Sequence, residues 1–215
     1  NNMDKNQKYV ITINRELGSG GRTVGRKLAE KLSVPFYDKA LINELKEKYH
    51  LSTGEIEKLK ASKVNWLREF INAAMYMGQG MNEMWYYQQM TGQGAALLTS
   101  GEMFKVEKEI LTNVAAEESC VVAGRSGFHV FAEHPNHLSI LIQAPMEFRI
   151  QRIMGKQGMS HEEAEKVIKK VDEMRETYVK KYTGTSRYDT RNYDLVFNME
   201  GKTEDEIVEL ILQYI

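Results

Sequence analysis

Cysteine is nearly absent. The 215-residue chain holds Cys120 alone, so no disulfide framework can organise it, and one thiol inside the apolar run SCVVAG reads as a small buried hydrophobe in a reducing compartment. Proline is scarce too, with three in the chain, and no low-complexity stretch or internal repeat marks a linker or an array. No apolar run approaches the roughly 20 residues of a membrane span, and the opening NNMDKNQK has no apolar signal core. The expectation is therefore a cytoplasmic protein without a membrane partner. Net charge is also lacking: 29 basic and 30 acidic residues leave −1. That argues against a nucleic-acid polymer as ligand, because such affinity rests on excess positive charge. No Ser-His-Asp or Cys-His set is evident, and the sequence from His161 to Glu165 is not HExxH. His129, His134 and His137 straddle Pro135 with no cysteine near, so they read as surface residues rather than zinc ligands. What remains is a length sufficient to bury a core in one α/β domain, residues 1–215, with an inserted or flanking helical piece.

Residues 8–32, KYVITINRELGSGGRTVGRKLAEKL, read as strand, glycine turn and amphipathic helix. Tyr9, Val10, Ile11 and Ile13 form the β-rich run of a strand buried in a parallel sheet. Gly18, Gly20 and Gly21 permit positive φ and close approach of a ligand to bare backbone. Val24, Leu28 and Leu32 then give the helix one buried stripe, with Arg22, Arg26, Lys27 and Lys31 expected on its outer face. The helix N-terminus would aim free N–H groups and its positive dipole end into the turn, which suits phosphate. Set on the GxxxxGK[ST] pattern, Glu16 stands at the first glycine and Arg22 at the lysine. In a second register, the LAEKL ending resembles the LAEAL-like ending that follows the loop in nucleoside monophosphate kinases. That register aligns Gly18, Gly20 and Thr23, puts Gly21 at the lysine position and Arg15 at the first glycine. Either way the lysine is missing, and arginine must supply its charge. A plain connecting turn is one alternative. A dinucleotide turn, with Asp38 as the ribose acid but Thr23 in place of the third glycine, is another.

Further along, SVPFYD (33–38) predicts a short strand with Asp38 capping the next helix. Helices are expected over 39–49 and 52–72, the second opened by the Ser52/Glu55 capping box. Residues 66–90 concentrate Met and aromatic side chains, a composition more typical of core or subunit contact than of a cofactor box. Gly78 and Gly80 are expected to break that stretch, and so are Gly92 and Gly94. Helices over 102–117, 146–155, 160–182 and 203–215 alternate with strands at 120–123, 138–142 and 193–198. The order implies a mostly parallel sheet wrapped on both faces. Gly124-Arg125-Ser126-Gly127 falls at a strand's carboxyl end, where ligands gather in open α/β sheets.

Arg149 and Arg152 lie one turn apart on one helix, and Asp172 and Arg175 on the next. The segment 154–159 between them reads as a glycine-flanked hinge. Two arginine-bearing helices on a hinge make a lid, and a lid that brings guanidinium groups over transferring phosphates is what phosphoryl transfer needs. Surface pairing along exposed helices is the alternative.

Together, ITINRELGSGGRTVGRKLAEKL, PFYDKALINEL, VVAGRSG, the Arg149/Arg152 helix, and KKVDEMRETYVKKYTG through YDLVFN resemble the cytidylate kinase-like family. The likeness covers most of the chain and is weakest over about 60–100. It implies a P-loop α/β fold with a five-stranded parallel sheet, helices on both faces and a lid near 149–180; the Met and aromatic composition separately leads to the expectation of a helical insert near 60–100 that forms an acceptor wall or a homodimer contact. The implied activity is ATP-dependent phosphorylation of a nucleoside monophosphate, cytidylate before others. A kinase of another small metabolite and a nucleotide-binding module without turnover stand beside it. ATP would sit on Arg15, Gly18, Ser19, Gly20, Gly21, Arg22 and Thr23, and Mg²⁺ on Thr23. The phosphorylated acceptor would meet Asp38, Arg125, Asp172, Arg187 and Arg191. Arg22, Arg149, Arg152 and Arg175 would serve the transfer itself. No aspartate stands in 120–123 or 138–143 to hold the metal, so water and ATP would complete its shell.

Overall fold

The computed structural model describes residues 3–51, 66–80 and 101–215. Five parallel strands, β1 (Val10–Arg15), β2 (Phe36–Tyr37), β3 (Cys120–Ala123), β4 (His137–Gln143) and β5 (Leu195–Asn198), lie in the order β2-β3-β1-β4-β5. The first strand is thus central, with Val10 opposite Cys120 on one side and His137 on the other. Its side chains alternate between faces, as the pleat requires. Val10 joins a core that includes Tyr37, Leu41, Ile110 and Val122, while Ile11 and Ile13 join one that includes Val24, Leu28, Ile140 and Ile207. Helices α1 (Gly21–Leu32) and α8 (Glu204–Tyr214) supply the second core. Helices α2 (Lys39–Lys48), α3 (Trp66–Gly80) and α4 (Gly101–Glu117) supply the first. Cys120 is buried there as a small apolar side chain.

A one-turn helix, α5 (Gly127–Val130), follows β3; α6 (Met146–Gln157) and α7 (His161–Thr183) follow β4; and a 3-10 turn, Thr190–Asn192, precedes β5. Helices α6 and α7 have a small core of their own, built from Ile150, Ile153, Ala164, Ile168 and Val171 around Leu17. Ser160 caps α7 and forms a capping box with Glu163. Asp38 caps α2 by accepting from the Leu41 amide.

Several local expectations change. Gly78 lies inside α3, and Gly155 inside α6, so neither breaks its helix; the turn between α6 and α7 starts only at Gly158. A glycine costs a helix about 1 kcal/mol, less than the packing on either side provides. Trp66, Phe70, Ile71 and Ala74 turn into the core beside Tyr37, whereas Tyr76 is 82% exposed. The Ser52 capping box, Gly92, Gly94 and most of the Met and aromatic stretch lie outside the described residues. Among the described residues, no helix is long and apolar enough to cross a membrane.

His137 is not a surface residue. Its Nε2 lies 2.7 Å from Thr12 Oγ1, and burial pushes its pKa down to about 4, against an opposing pull from Asp194. The unfolded chain protonates this ring near pH 6.5, so between pH 6.5 and 4 the unfolded state binds more protons and stability falls as pH falls. The loss should reach about 2–3 kcal/mol once partial solvent access is discounted. Urea unfolding at pH 7 and pH 4.5 should show that drop in the wild type and a much smaller one in His137→Gln. An equal drop in both would assign the acid sensitivity to other groups.

Candidate active site

Arg15 ends the central strand, and the chain turns over it through 16–20 into α1. Gly18 and Gly20 take φ of 80° and 88°, a region that costs other residues roughly 1–2 kcal/mol. Space is as restrictive as torsion: a Cβ on Gly18 would stand 2.8 Å from the Arg149 carbonyl oxygen, and one on Gly21 would stand 2.5 Å from Arg15 Cβ. Ser19 shapes the loop from inside, its hydroxyl donating to the Glu16 carbonyl at 2.7 Å and accepting from the Gly21 amide at 3.3 Å. Thr23 is buried in the first turn of α1. The amides of that turn have no intrahelical acceptor, so the loop's open side faces N–H groups and a positive dipole end.

Arg22 departs from the expected outer face. It is 5% exposed and its Nε donates to Asp38 Oδ2 at 2.7 Å, with the guanidinium over the Phe36 ring. Asp38 itself is fully buried, so it requires this counter-charge. The two residues expected at ATP and at the acceptor separately are thus one buried pair bridging α1 and β2.

Four other arginines surround the loop. Arg149 donates from Nε to the Ala144 carbonyl at 3.0 Å and binds Asp172, while its Nη2 lies 3.5 Å from Glu16. Asp172 in turn accepts from the Leu17 amide at 3.1 Å, which ties α7 directly to the loop. Arg152 reaches Glu204 beside Gly20. Arg175 Nη1 and Arg187 Nη2 both donate to the Arg15 carbonyl, at 3.0 and 2.9 Å. Arg187 is fully buried, and its Nε and Nη1 have no hydrogen-bond partner among the described residues. Burial and the neighbouring Arg175 charge both lower its pKa. Together with Arg15, these guanidinium groups concentrate positive charge around the loop, and such a field favours an anion there. Arg191 is not part of this group; it is exposed and paired with Asp189 at 2.7 Å.

Beside the arginines, a cavity of about 60 Å³ opens between the carboxyl ends of β1 and β3 and helix α7, lined by Arg15, Lys39, Arg125, Ser126, Arg175 and Tyr178 among others. Arg125 donates from Nε to Glu107 Oε2 at 2.8 Å and lies 4.5 Å over the Tyr178 ring. Glu107 is fully buried on α4 and also faces Lys46 at 3.9 Å. Lys39 is held down at about 8, first by burial and then by Arg125, so it stays mostly protonated at neutral pH. Gly124, Arg125 and Ser126 take φ of 72°, 54° and 54° in succession. Two consecutive non-glycine residues in this region are strained, and such strain concentrates at functional sites.

Sequence reasoning missed Lys39, Glu107 and Tyr178, and it placed Glu16 and Ser126 in their motifs without giving either a role. Lys39 follows the carboxyl end of β2, the place where ligands gather in open sheets. Glu107 is a carboxylate on the apolar stripe of Val106, Ile110 and Leu111, which is itself a signal. Glu16 offered no such signal.

The family model for the cytidylate kinase-like family matches residues 10–201. The chain belongs to that family. Membership makes it a nucleoside monophosphate kinase-like phosphotransferase on a P-loop fold. The chain is 28% identical over 206 residues to the cytidylate kinase of Saccharolobus islandicus strain L.S.2.15, an alignment spanning 96% of this chain and 90% of that relative. It is 26% identical over 109 residues to that of Sulfolobus acidocaldarius, covering 50% and 59%. A crystal structure of an uncharacterized protein from Eubacterium ventriosum shares the fold with a TM-score of 0.69 at 23% identity, covering 97% of this chain and 98% of that one.

Proposed function

We propose that this protein is a cytoplasmic enzyme that transfers a phosphoryl group from ATP to a nucleoside monophosphate, with cytidylate the first acceptor to test. The reading rests on one observation above the others: Arg175 and Arg187 converge on a single carbonyl oxygen, that of Arg15, between the glycine loop and the Arg125 cavity. Two guanidinium groups drawn to one neutral acceptor mark where a phosphoryl group would pass.

In this reading the amides of 18–23 cradle the ATP phosphates, while α6 and α7 act as the lid over about 149–180 and bring Arg152 and Arg175 to them, with Arg149 in the network that holds the lid to the loop. Thr23, in the first turn of α1 beside the loop, is the protein ligand that fits Mg²⁺, with phosphate oxygens and water completing the shell. A metal held there would supply neutralisation of the β- and γ-phosphate charge. Arg125 and Lys39 hold the acceptor phosphate, and Asp38 acts through Arg22 rather than directly. The acceptor is already an anionic nucleophile, so positioning and charge carry the catalysis and no general base is needed.

A coupled assay of ADP release should give acceptor-dependent turnover with at least one of CMP, dCMP, UMP, AMP and GMP. Turnover only with small hydroxylated metabolites would move the acceptor class. ATP binding by calorimetry without ADP release from any acceptor would make the chain a nucleotide-binding module. Two observations favour that second reading: the loop has no lysine, and Arg22 is already engaged in a buried pair with Asp38.

A further inference from the structure

The turn that carries Arg187 is held from several sides. The Arg187 amide donates to Glu176 Oε2 at 3.0 Å, and the Arg187 carbonyl accepts from the Tyr193 hydroxyl at 2.6 Å. Asn192 Nδ2 adds a bond to the Ser186 carbonyl at 3.2 Å. Tyr193 is itself fixed from the central strand: Asn14 Nδ2 donates to its hydroxyl at 2.9 Å, and the Phe128 ring packs against its ring at 5.5 Å. The far end of this relay sets its direction. Asn14 Oδ1 accepts from the Arg15 amide at 3.0 Å, so Nδ2 faces the tyrosine, and the tyrosine's one proton goes to the Arg187 carbonyl. Burial pushes the Tyr193 hydroxyl up to about 12, against the pull of the Asn14 bond, so at neutral pH it stays protonated and remains a donor.

What the relay holds is a buried cation with open donors. Only Nη2 of Arg187 is bonded, to the Arg15 carbonyl at 2.9 Å. Asp172 stands 3.9 Å away, beyond hydrogen-bond range, and Nε and Nη1 have no hydrogen-bond partner among the described residues. A buried charge left in this way is costly, and a guanidinium with free donors suits an anion that arrives from outside. The direction in which those donors point depends on where the Arg187 backbone stands. We propose that Tyr193 is a positioning residue for phosphoryl transfer: through the Arg187 carbonyl it fixes the buried guanidinium in the orientation that meets the transferring phosphoryl group. The inference rests on the phosphoryl-transfer reading above. Tyr193 acts through Arg187, and Asn14 acts through Tyr193. Because a misplacement of about 1 Å can cost a hundredfold in rate, a hydroxyl that never meets the anion can still govern its transfer.

ADP-release kinetics on the full chain, run well below the Tm of every variant, test this. Tyr193→Phe keeps the ring against Phe128 and should lower kcat by about tenfold to a hundredfold, with KM for ATP changed by less than about threefold. A double-mutant cycle separates positioning from a loss of stability. In an Arg187→Met background, which keeps an apolar side chain but no guanidinium, Tyr193→Phe should have no further effect on kcat. Arg187→Gln, neutral and still polar, takes its place if the methionine variant does not fold. Losses that multiply across the cycle overturn the assignment, as does a Tyr193→Phe kcat within about twofold of the wild type. Calorimetry with inorganic pyrophosphate separates this inference from the reading beneath it. If no acceptor is phosphorylated, yet Tyr193→Phe weakens pyrophosphate binding about tenfold and does so only where Arg187 is present, phosphoryl transfer fails and the positioning role stands. If an acceptor is phosphorylated and Tyr193→Phe changes neither kcat nor pyrophosphate affinity, phosphoryl transfer stands and the positioning role falls. A wild type that neither turns over nor binds pyrophosphate overturns both.

Discussion

Arg149→Ala is expected to lower the free energy of unfolding by about 3–5 kcal/mol, the range for removing one partner of a buried charge network. Its guanidinium binds Asp172, faces Glu16 and caps the Ala144 carbonyl. Without it, the two carboxylates keep Arg187, 3.9 Å from Asp172, as a charged partner, beside Tyr188 and the Leu17 and Ala144 amides. Arg149→Lys should recover only part of the loss, because an ammonium cannot reproduce the planar fork. Urea denaturation at neutral pH measures both variants. A loss below about 1 kcal/mol, the ceiling for a solvent-exposed pair, would mean that the network does not hold α6 and α7 to the loop. Arg149 would then be a free lid arginine, to be judged by kcat instead.

Arg175→Ala should act on rate. Arg175 is only partly buried and donates to the Arg15 carbonyl beside the cavity, so its removal leaves no isolated charge in the core. As a group aimed at charge that builds during transfer, it should contribute about a hundredfold to a thousandfold in kcat, with less effect on KM for ATP. ADP-release kinetics distinguish the possibilities: a rise in acceptor KM at constant kcat would make it a ground-state binding residue. A change in neither would leave it a tether between α7 and the central strand.

The strand runs, the glycine loop and the caps at Asp38 and Ser160 are local features, and each was readable because its physics is complete within a few residues. The arginines were readable as a set for the same reason: their one-turn spacing is visible on a helix. Their partners were not. Asp172 meets the Leu17 amide across 155 positions of chain, and no periodicity encodes that pairing. Arg22 shows the limit most clearly. The helical wheel places it with Arg26, Lys27 and Lys31 on a solvated face, but its place in the first turn of α1 brings it against Asp38, fully buried at the end of β2. Gly155 shows a different limit, where packing between α6 and α7 overrides intrinsic propensity.

The place of β1 in the sheet also governs how the chain must fold. It precedes the other four strands in the chain, yet it pairs with β3 and β4, whose partners for Val10 are Cys120 and His137. More than a hundred residues must leave the ribosome before either edge of the central strand can be paired. Loop closure over that span grows only slowly with length, but sheets built from such distant pairings fold slowly and expose unpaired edges meanwhile. A nascent chain halted before residue 120 therefore carries the glycine loop on an unpaired strand and should be protease-sensitive there, and protection should appear only once β3 and β4 have both emerged.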